Sequence, residues 1–273
     1  MSGFSESWLE LREPVDHRSR DLGLIRALGA HLEALDGDAR VLLDLGCGTG
    51  STCRGLSPFL PDGVEWRLFD KDPALLEAAR RRLGPEGPRG ARHQFLLGDA
   101  GGETPLPLDG VAVVTSSAFF DLCSAGFCAR LVRELGQAGA GLYANLTYDG
   151  QMSWSIPHEL DTAVVRDFNL HQRRDKGFGP ALGPQAAPFL SECLKAVGYR
   201  VESASSPWRM GPQDKALQIE FLEGMRRPLE EIGTLPRTHV SAWIGFRLGV
   251  LDLAESTCEV GHTDLLALGG ASA

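Results

Sequence analysis

Apolar side chains recur at spacings of three and four from Asp16 onward, at Leu22, Ile25, Leu28, Leu32 and Leu35, one face of a helix that Gly37 ends. The period then changes. Val41-Leu42-Leu43-Asp44-Leu45 is a short apolar run that breaks into glycines, as a parallel strand buried on both faces does where it turns into a helix. Val64 to Phe69 reads as a second strand. Asp72-Pro73 offers an N-cap with proline at the first helical position, and Leu75, Leu76, Ala79 and Leu83 carry that helix to Gly84-Pro85. A turn-rich linker spans Pro85 to Gly90. Strands at Gln94 to Leu97 and Val111 to Thr115, separated by a loop from Gly101 to Gly110, are followed by a helix from about Ala125 to Leu135 and a strand from Gly141 to Leu146.

Two stretches interrupt the alternation. Gly150 to Gly183 carries a short helix from Asp161 to about Phe168 and then a polar, glycine-bearing segment; a helix from Pro184 to Val197 comes next. Tyr199 to Ser203 reads as a sixth strand, and Glu259 to Leu268 contains a seventh. Between them Leu217, Phe221, Met225, Leu229 and Ile232 mark one helix and Val240 to Leu253 a second. Strands alternating with helices imply an α/β fold, because each right-handed crossover buries its own helix on the sheet. The expected architecture is Rossmann-like: a seven-stranded, mostly parallel sheet with helices on both faces, and N-terminal and inserted helices capping the active-site end. Residues 1–273 are expected to form a single domain, with a helical N-terminal segment at 1–38 and insertions at 150–183 and 207–256.

With 273 residues, 43% of them hydrophobic, the chain can bury a core without staples. Its 27 basic and 36 acidic residues leave a net charge of −9, which argues against a broad nucleic-acid footprint. No apolar run approaches the roughly 20 residues of a membrane span, and the N-terminus lacks the regions of a signal peptide, so a cytoplasmic protein is expected. The six cysteines show no C-x-x-C pair and there is no H-E-x-x-H, so buried, reduced thiols and no metal site are expected.

The chemistry is concentrated at strand ends. Asp44-Leu45-Gly46-Cys47-Gly48-Thr49-Gly50 stands between a strand and a helix, where glycines let the backbone approach a ligand. Its G-x-G-x-G spacing, with Ser51 in place of a third fingerprint glycine, departs from the dinucleotide pattern. Asp70 ends the second strand, placed for a carboxylate to accept both hydroxyls of a ribose, and Asp99 in Gly98-Asp99-Ala100 closes the third.

VLLDLGCGTG (41–50), LFDKDP (68–73), FLLGDA (95–100) and VVTSSAFFDL (113–122) together resemble the class I S-adenosylmethionine-dependent methyltransferases. The resemblance covers about 41–150. It implies that Asp44 and the loop with Gly46, Cys47 and Gly48 hold the methionine part of S-adenosylmethionine, and that Asp70, with Lys71 beside it, holds the ribose. Asp99 and Ala100 would meet the adenine, and Ser116 would lie near the methionine; S-adenosylhomocysteine would be the product. Segments 168–184, 205–211 and 259–268 look like those of bacterial small-molecule methyltransferases, which leaves the acceptor open.

The fourth strand end, Thr115-Ser116-Ser117-Ala118-Phe119-Phe120-Asp121, lacks the [DN]-P-P-[YF] tetrapeptide of amino-methylating enzymes, which points away from exocyclic amines. Asp121 reads as a base or, more simply, as the N-cap of the next helix. Tyr148 and Asp149 follow the fifth strand and would face the transferring methyl, or form a turn with Gly150. His171 precedes Arg173, Arg174 and Lys176 between Phe168 and Phe178; this run is either a solvated face or a mobile loop whose cations take an anionic acceptor. Trp8, Arg12 and Asp16 belong to a lid or simply pack outside the sheet. His262 and Asp264 share one strand face, as a structural pair or with the histidine as a base. The expected function is methyl transfer to a small, anionic metabolite; the alternatives are a non-methylating enzyme that uses the same cofactor, and a cofactor-binding regulatory protein.

Overall fold

The computed structural model describes residues 5–84, 87–102 and 104–269. Pro85 and Glu86 of the expected linker, Glu103 of the expected loop, and residues 1–4 and 270–273 of the expected domain lie outside them.

The chain opens with two helices, α1 (Glu6–Ser19) and α2 (Leu22–Glu33). Ser5 caps the first, its Oγ accepting from the Trp8 N–H at 3.1 Å, and Asp21 caps the second through the Leu24 N–H at 2.8 Å. The single helix expected from Asp16 is therefore two, because Asp21 satisfies the orphan amide of a new helix start. Then come β1 (Val41–Leu45), α3 (Ser51–Leu56), β2 (Glu65–Asp70), α4 (Pro73–Leu83), β3 (Arg92–Leu97), β4 (Val113–Ser117), α5 (Ala125–Ala138) and β5 (Gly141–Trp154). The remainder holds α6 (Asp161–Gln172), α7 (Ala186–Ala196), β6 (Tyr199–Ser205), β7 (Trp208–Met210), α8 (Lys215–Ile232), α9 (Arg237–Gly249) and β8 (Cys258–Gly269).

The sheet order is β3-β2-β1-β4-β5-β8-β6, with β7 on the opening residues of β8. β1 to β5 pair in parallel, whereas β8 runs antiparallel to β5, β6 and β7. The sheet thus has eight strands rather than the expected seven. The extra one, β7, is three residues long, too short to show a period. Because the chain moves outward from β1 to β3 and returns to β4 on β1's other side, the crevice between β1 and β4 is the topological switch point where such sheets bind ligands.

One sheet face is covered by α2, α3 and α4 around Leu28, Leu42, Trp66 and Tyr143, the other by α5 and α7 around Leu131, Leu142 and Leu190. A third apolar cluster lies at the carboxyl end, where Val15 of α1, Tyr148, Phe168, Trp208, Met225 and Trp243 pack together. β5 reaches that cluster by running eight residues past its expected end at Leu146. It bends there: Leu146 has φ 52°, and the register with β8 shifts on either side of Thr147 and Tyr148. A leucine in the left-handed region costs about 1–3 kcal/mol and persists only when its surroundings over-determine it. Asp264 of β8 does so. Its buried carboxylate accepts from the N–H groups of Leu146 (2.8 Å) and Asp21 (2.9 Å) and from Ser206 Oγ (2.6 Å) and Tyr143 Oη (3.3 Å), tying α2, β5 and the segment after β6 together.

Candidate active site

The loop after β1 takes the left-handed conformation at Gly46, Gly48 and Gly50 (φ 65°, 52° and 81°). A Cβ on Gly46 would lie 3.0 Å from the Phe119 ring and one on Gly48 3.0 Å from Leu9 of α1, so a side chain would crowd these neighbours as well as strain the backbone. Asp70 sits beneath the loop, Oδ2 accepting from the Gly48 N–H at 2.8 Å and Oδ1 from the Asp72 N–H at 2.9 Å. Cys47 is buried, its thiol pushed well above the ordinary range by burial and by the Asp44 and Asp70 charges, which makes it inert. Lys71 is exposed beside Asp70. Asp99, also exposed, accepts from the Gly101 N–H at 2.9 Å, and buried Ala100 gives its carbonyl to Arg130 at 2.6 Å. Phe178 covers this end, its ring 5.4 Å from Phe119 and 5.0 Å from Phe127. Ser116 Oγ donates to the Leu45 carbonyl at 2.7 Å and fastens β4 to β1.

Asp44 is fully buried. Thr115 Oγ1 donates to its Oδ1 at 2.8 Å, while Oδ2 has no partner among the described residues. Burial drives its pKa up to about 7 against the pull of Thr115 and Arg20. Arg20, which closes α1, is buried too; its Nε donates to Asn145 Oδ1 at 3.1 Å, and Nη1 and Nη2 have no partner among the described residues. Nothing in the local sequence singles Arg20 out, since its burial depends on strands more than a hundred residues away.

On the other side of α1 a second group of polar side chains converges. Arg12 donates from Nε and Nη2 to Asp16 at 2.8 and 3.2 Å, and its guanidinium lies 5.0 Å from the Trp208 ring centre. His262 of β8 lies 5.2 Å from Trp208 and 6.2 Å from Tyr148, ring to ring. Asp121 stands in the 3-10 turn Phe120–Leu122; the N-cap of α5 is Ser124, which accepts from the Phe127 N–H at 3.2 Å, so the cap reading of Asp121 is corrected. Asp121 Oδ1 and His262 Nδ1 are buried without partners among the described residues. Burial raises Asp121 to about 6 despite Arg12, Lys176 and the Tyr148 N–H, and lowers His262 to about 3 with help from Arg12. The Tyr148 hydroxyl donates to Asn169 at 2.8 Å, and burial raises its pKa far out of reach of a base at neutral pH.

A glycine loop over a carboxylate stands at the switch point with a buried polar cluster beside it, and residues 42–138 match the family described as methyltransferase domain. These residues form a methyltransferase domain. Among solved structures, the chain superposes on the cyclopropane synthase MmaA2 of Mycobacterium tuberculosis with a TM-score of 0.51 at 14% identity, over 97% of this chain and 94% of that one. An S-adenosylmethionine-dependent methyltransferase from Geobacter sulfurreducens, in complex with S-adenosylhomocysteine, is 18% identical with a TM-score of 0.48, over 97% and 99% of the two chains. YcgJ of Bacillus subtilis is 15% identical with a TM-score of 0.49, over 93% and 100%. At these identities the likeness is one of fold. Comparison with curated proteins returns no match.

The basic segment is divided among three surroundings. Lys176 Nζ donates to His171 Nδ1 at 3.1 Å, leaving His171 Nε2 to donate to Glu231 at 3.0 Å, and the Lys176 charge reaches Asp121. Arg174 pairs with the same Glu231 at 3.4 Å. Arg173 lines a cavity of about 570 Å³ on the outer side of β5, together with Asp149, Arg166 and Asn169. Adjacent strand residues point to opposite sides, so Tyr148 packs against Phe168 and His262 while Asp149 faces that outer groove, accepting from the Gln151 N–H at 2.9 Å. Among the described residues no cluster of His, Cys, Asp or Glu could hold a metal ion, and no helix is long and apolar enough to cross a membrane.

Proposed function

We propose that the chain is a methyltransferase domain that transfers the methyl group of S-adenosylmethionine to a small acceptor held in the chamber between α1, β5 and β8. The carrying observation is the cradle: three left-handed glycines over Asp70, next to a buried Asp44 oxygen without a partner among the described residues. These residues fit an adenosyl amino acid. Asp70 would accept from the ribose hydroxyls, the loop amides and Asp44 would meet the amino-acid end, and Asp99 and Ala100, under Phe178, would border the base. Bound there, S-adenosylmethionine supplies a methyl group on a sulfonium whose charge is discharged as the methyl leaves.

The residues of this chain then have separable tasks. α1 excludes water, and the loop fixes the direction from which the acceptor approaches, positioning that can supply up to about 7–11 kcal/mol of barrier reduction. Asp121 Oδ1 takes the proton that an acceptor O–H or N–H loses as its bond to the methyl carbon forms, while the carbon–sulfur electron pair stays on sulfur. Arg12 and Lys176 place positive charge beside Asp121 and beside any anionic substituent of the acceptor. His171 positions Lys176, and Tyr148 lines the chamber; Arg173, Arg174 and Asp149 serve its outer approach. A net charge of −9 supports a small molecule over a nucleic acid.

The test is to incubate the protein with S-adenosylmethionine and a panel of small hydroxy and amino metabolites with and without carboxylate or phosphate groups. S-adenosylhomocysteine forming in step with a methylated product is the expected result. Consumption of S-adenosylmethionine without a methylated product would overturn methyl transfer, and failure to bind it would overturn the cofactor.

A further inference from the structure

β6 ends the sheet: among the described residues it pairs with β8 on one side and with no strand on the other. The ladder decides which backbone groups stay open. The Ser206 N–H donates to the His262 carbonyl at 2.9 Å, continuing the unbroken register that sets Tyr199 against Gly269 and Ser205 against Thr263. In an antiparallel pair alternate residues bond to the same neighbour. Arg200, Glu202 and Ala204 therefore turn their N–H and C=O groups to β8, while Tyr199, Val201, Ser203 and Ser205 turn theirs outward. Side chains alternate between the sheet faces. Arg200 and Glu202 stand on the α2 side, opposite Leu268 and Leu266, at the rim of a groove of about 510 Å³ that Ala27, Ala30 and His31 border. The groove separates α2 from the strand edge. Val201 lies on the other face, against the core beneath α7. The Arg200 and Glu202 side chains remain 80% and 44% exposed although they pair with each other at 2.5 Å.

Charges on an open edge ordinarily discourage pairing with another strand. Here two opposite charges flank Val201 symmetrically, and that makes the edge complementary to itself. A two-fold axis through Val201 sets this residue against Val201 of a second copy, each donating its outward N–H to the other's carbonyl. The same axis sets Arg200 against Glu202 twice, and Tyr199 against Ser203. The charged pairs fall at the non-hydrogen-bonded positions, where facing side chains come closest. An axis through Arg200 or Glu202 would oppose like charges, and one through Ser203 would put both charges opposite neutral residues. We propose that β6 is a self-association edge, on which a second copy of this chain pairs antiparallel about Val201 and extends the sheet across both copies. A ladder this short buries less than a permanent dimer needs, so the association is reversible and concentration-dependent. Because the axis reverses strand direction, the glycine loops of the two copies open at opposite ends, and neither copy completes the other's site.

Sedimentation equilibrium of the full chain over a wide range of concentration tests it. The wild-type protein is expected to rise from the monomer mass toward twice that mass as concentration increases. Val201→Pro deletes the central outward N–H without touching the ladder to β8 and should leave a monomer. The charges give a second test that does not depend on that variant folding. Arg200→Glu alone, or Glu202→Arg alone, opposes like charges at both pairs and should weaken dimerisation roughly tenfold or more. Mixing the two variants opposes unlike charges again and should restore dimers, now of one copy of each. A wild-type protein that stays monomeric would overturn the proposal and leave the edge to a segment of some other protein. Dimers that survive both charge variants, or a mixture no more associated than its components, would place the contact elsewhere and overturn it equally.

Discussion

Asp16 of α1 accepts the indole N–H of Trp208 at 2.8 Å from a position 192 residues earlier in the chain, while its two oxygens also hold Arg12. The first helix is thereby fastened to β7, and its opposite side lies on the glycine loop through Leu9 and on α3 through His17. One helix borders both halves of the site.

Removing that fastening strands a charge. Asp16→Ala leaves the Arg12 guanidinium buried without its carboxylate, which should cost about 3–5 kcal/mol. Scanning calorimetry should show Tm falling by on the order of 10 °C, with much of the loss recovered in Arg12→Leu/Asp16→Leu. An unchanged Tm in Asp16→Ala would show that α1 is held by its apolar contacts alone.

Asp121 predicts a pH profile. As an acid pushed up to about 6, it is ionised and able to accept a proton above that pH, so kcat should rise through about pH 6 and then level. Asp121→Asn should lower kcat by roughly 10²–10⁴-fold, abolish that rise, and leave the affinity for S-adenosylhomocysteine unchanged. A retained inflection in the asparagine variant would move the titrating group elsewhere.

Asp44 links ligand binding to protons. Its folded pKa of about 7 lies above the ordinary carboxylate value, so the unfolded chain sheds this proton first and stability falls as pH rises from about 4 to 7. The full cost is on the order of 4 kcal/mol. Asp44→Asn should therefore be more stable than the wild type at pH 8 and no more stable at pH 4. An ammonium beside Asp44 favours its ionised form, so titrating S-adenosylhomocysteine at pH 6.5 in buffers of different ionisation enthalpy should show proton release. A buffer-independent heat would mean that nothing cationic meets Asp44.

His262 works in the opposite direction. Its folded pKa of about 3 is far below the ordinary value of about 6.5, so it costs nothing above that value, and below it the unfolded chain binds a proton that the folded chain refuses. Stability is lost as pH falls from about 6.5 to 3. Urea titrations should find His262→Phe less acid-sensitive than the wild type in that window; a difference independent of pH would assign His262 a packing role only.

Asp70 gives the simplest ligand test. Asp70→Asn keeps the shape under the loop but weakens the acceptor offered to the ribose, and should reduce affinity for S-adenosylhomocysteine and 5′-methylthioadenosine alike, by about tenfold. An effect on one ligand only would place the carboxylate at the amino-acid end.

The elements legible in the chain are those whose periods are long or whose ends are chemically marked. β1 matches its apolar run residue for residue, and α4 begins at Pro73 behind the Asp72 cap and ends before Gly84. The glycine loop was readable because φ above zero and close approach demand a residue without a Cβ. The extension of β5 was not, since Asp149-Gly150 carries turn chemistry that here makes a bulge, where the register with β8 shifts, rather than an end to the strand. Nor was the chamber. Arg12, Asp121 and His262 stand on three different elements, and what marks them, burial in one place, exists only once α1 has met β7 and β8. The basic run was visible as charge, but its division between Glu231, Asp121 and solvent depends on where α8 comes to lie.

The position of β8 sets the order of assembly. This strand, the last among the described residues, lies between β5 and β6, carries β7, and contributes Asp264, which holds the bend at Leu146, and His262, which packs against Tyr148. During synthesis the first helix leaves the ribosome about 190 residues before β7, the strand against which it closes, and earlier still than β8, on which β7 pairs. Until then β5 and β6 are bare edges, the state in which a nascent chain is most prone to pair with a neighbour. Catalytic competence therefore arrives as the final step of folding, and a chain stalled before β8 would present its cofactor loop without the walls that make it selective.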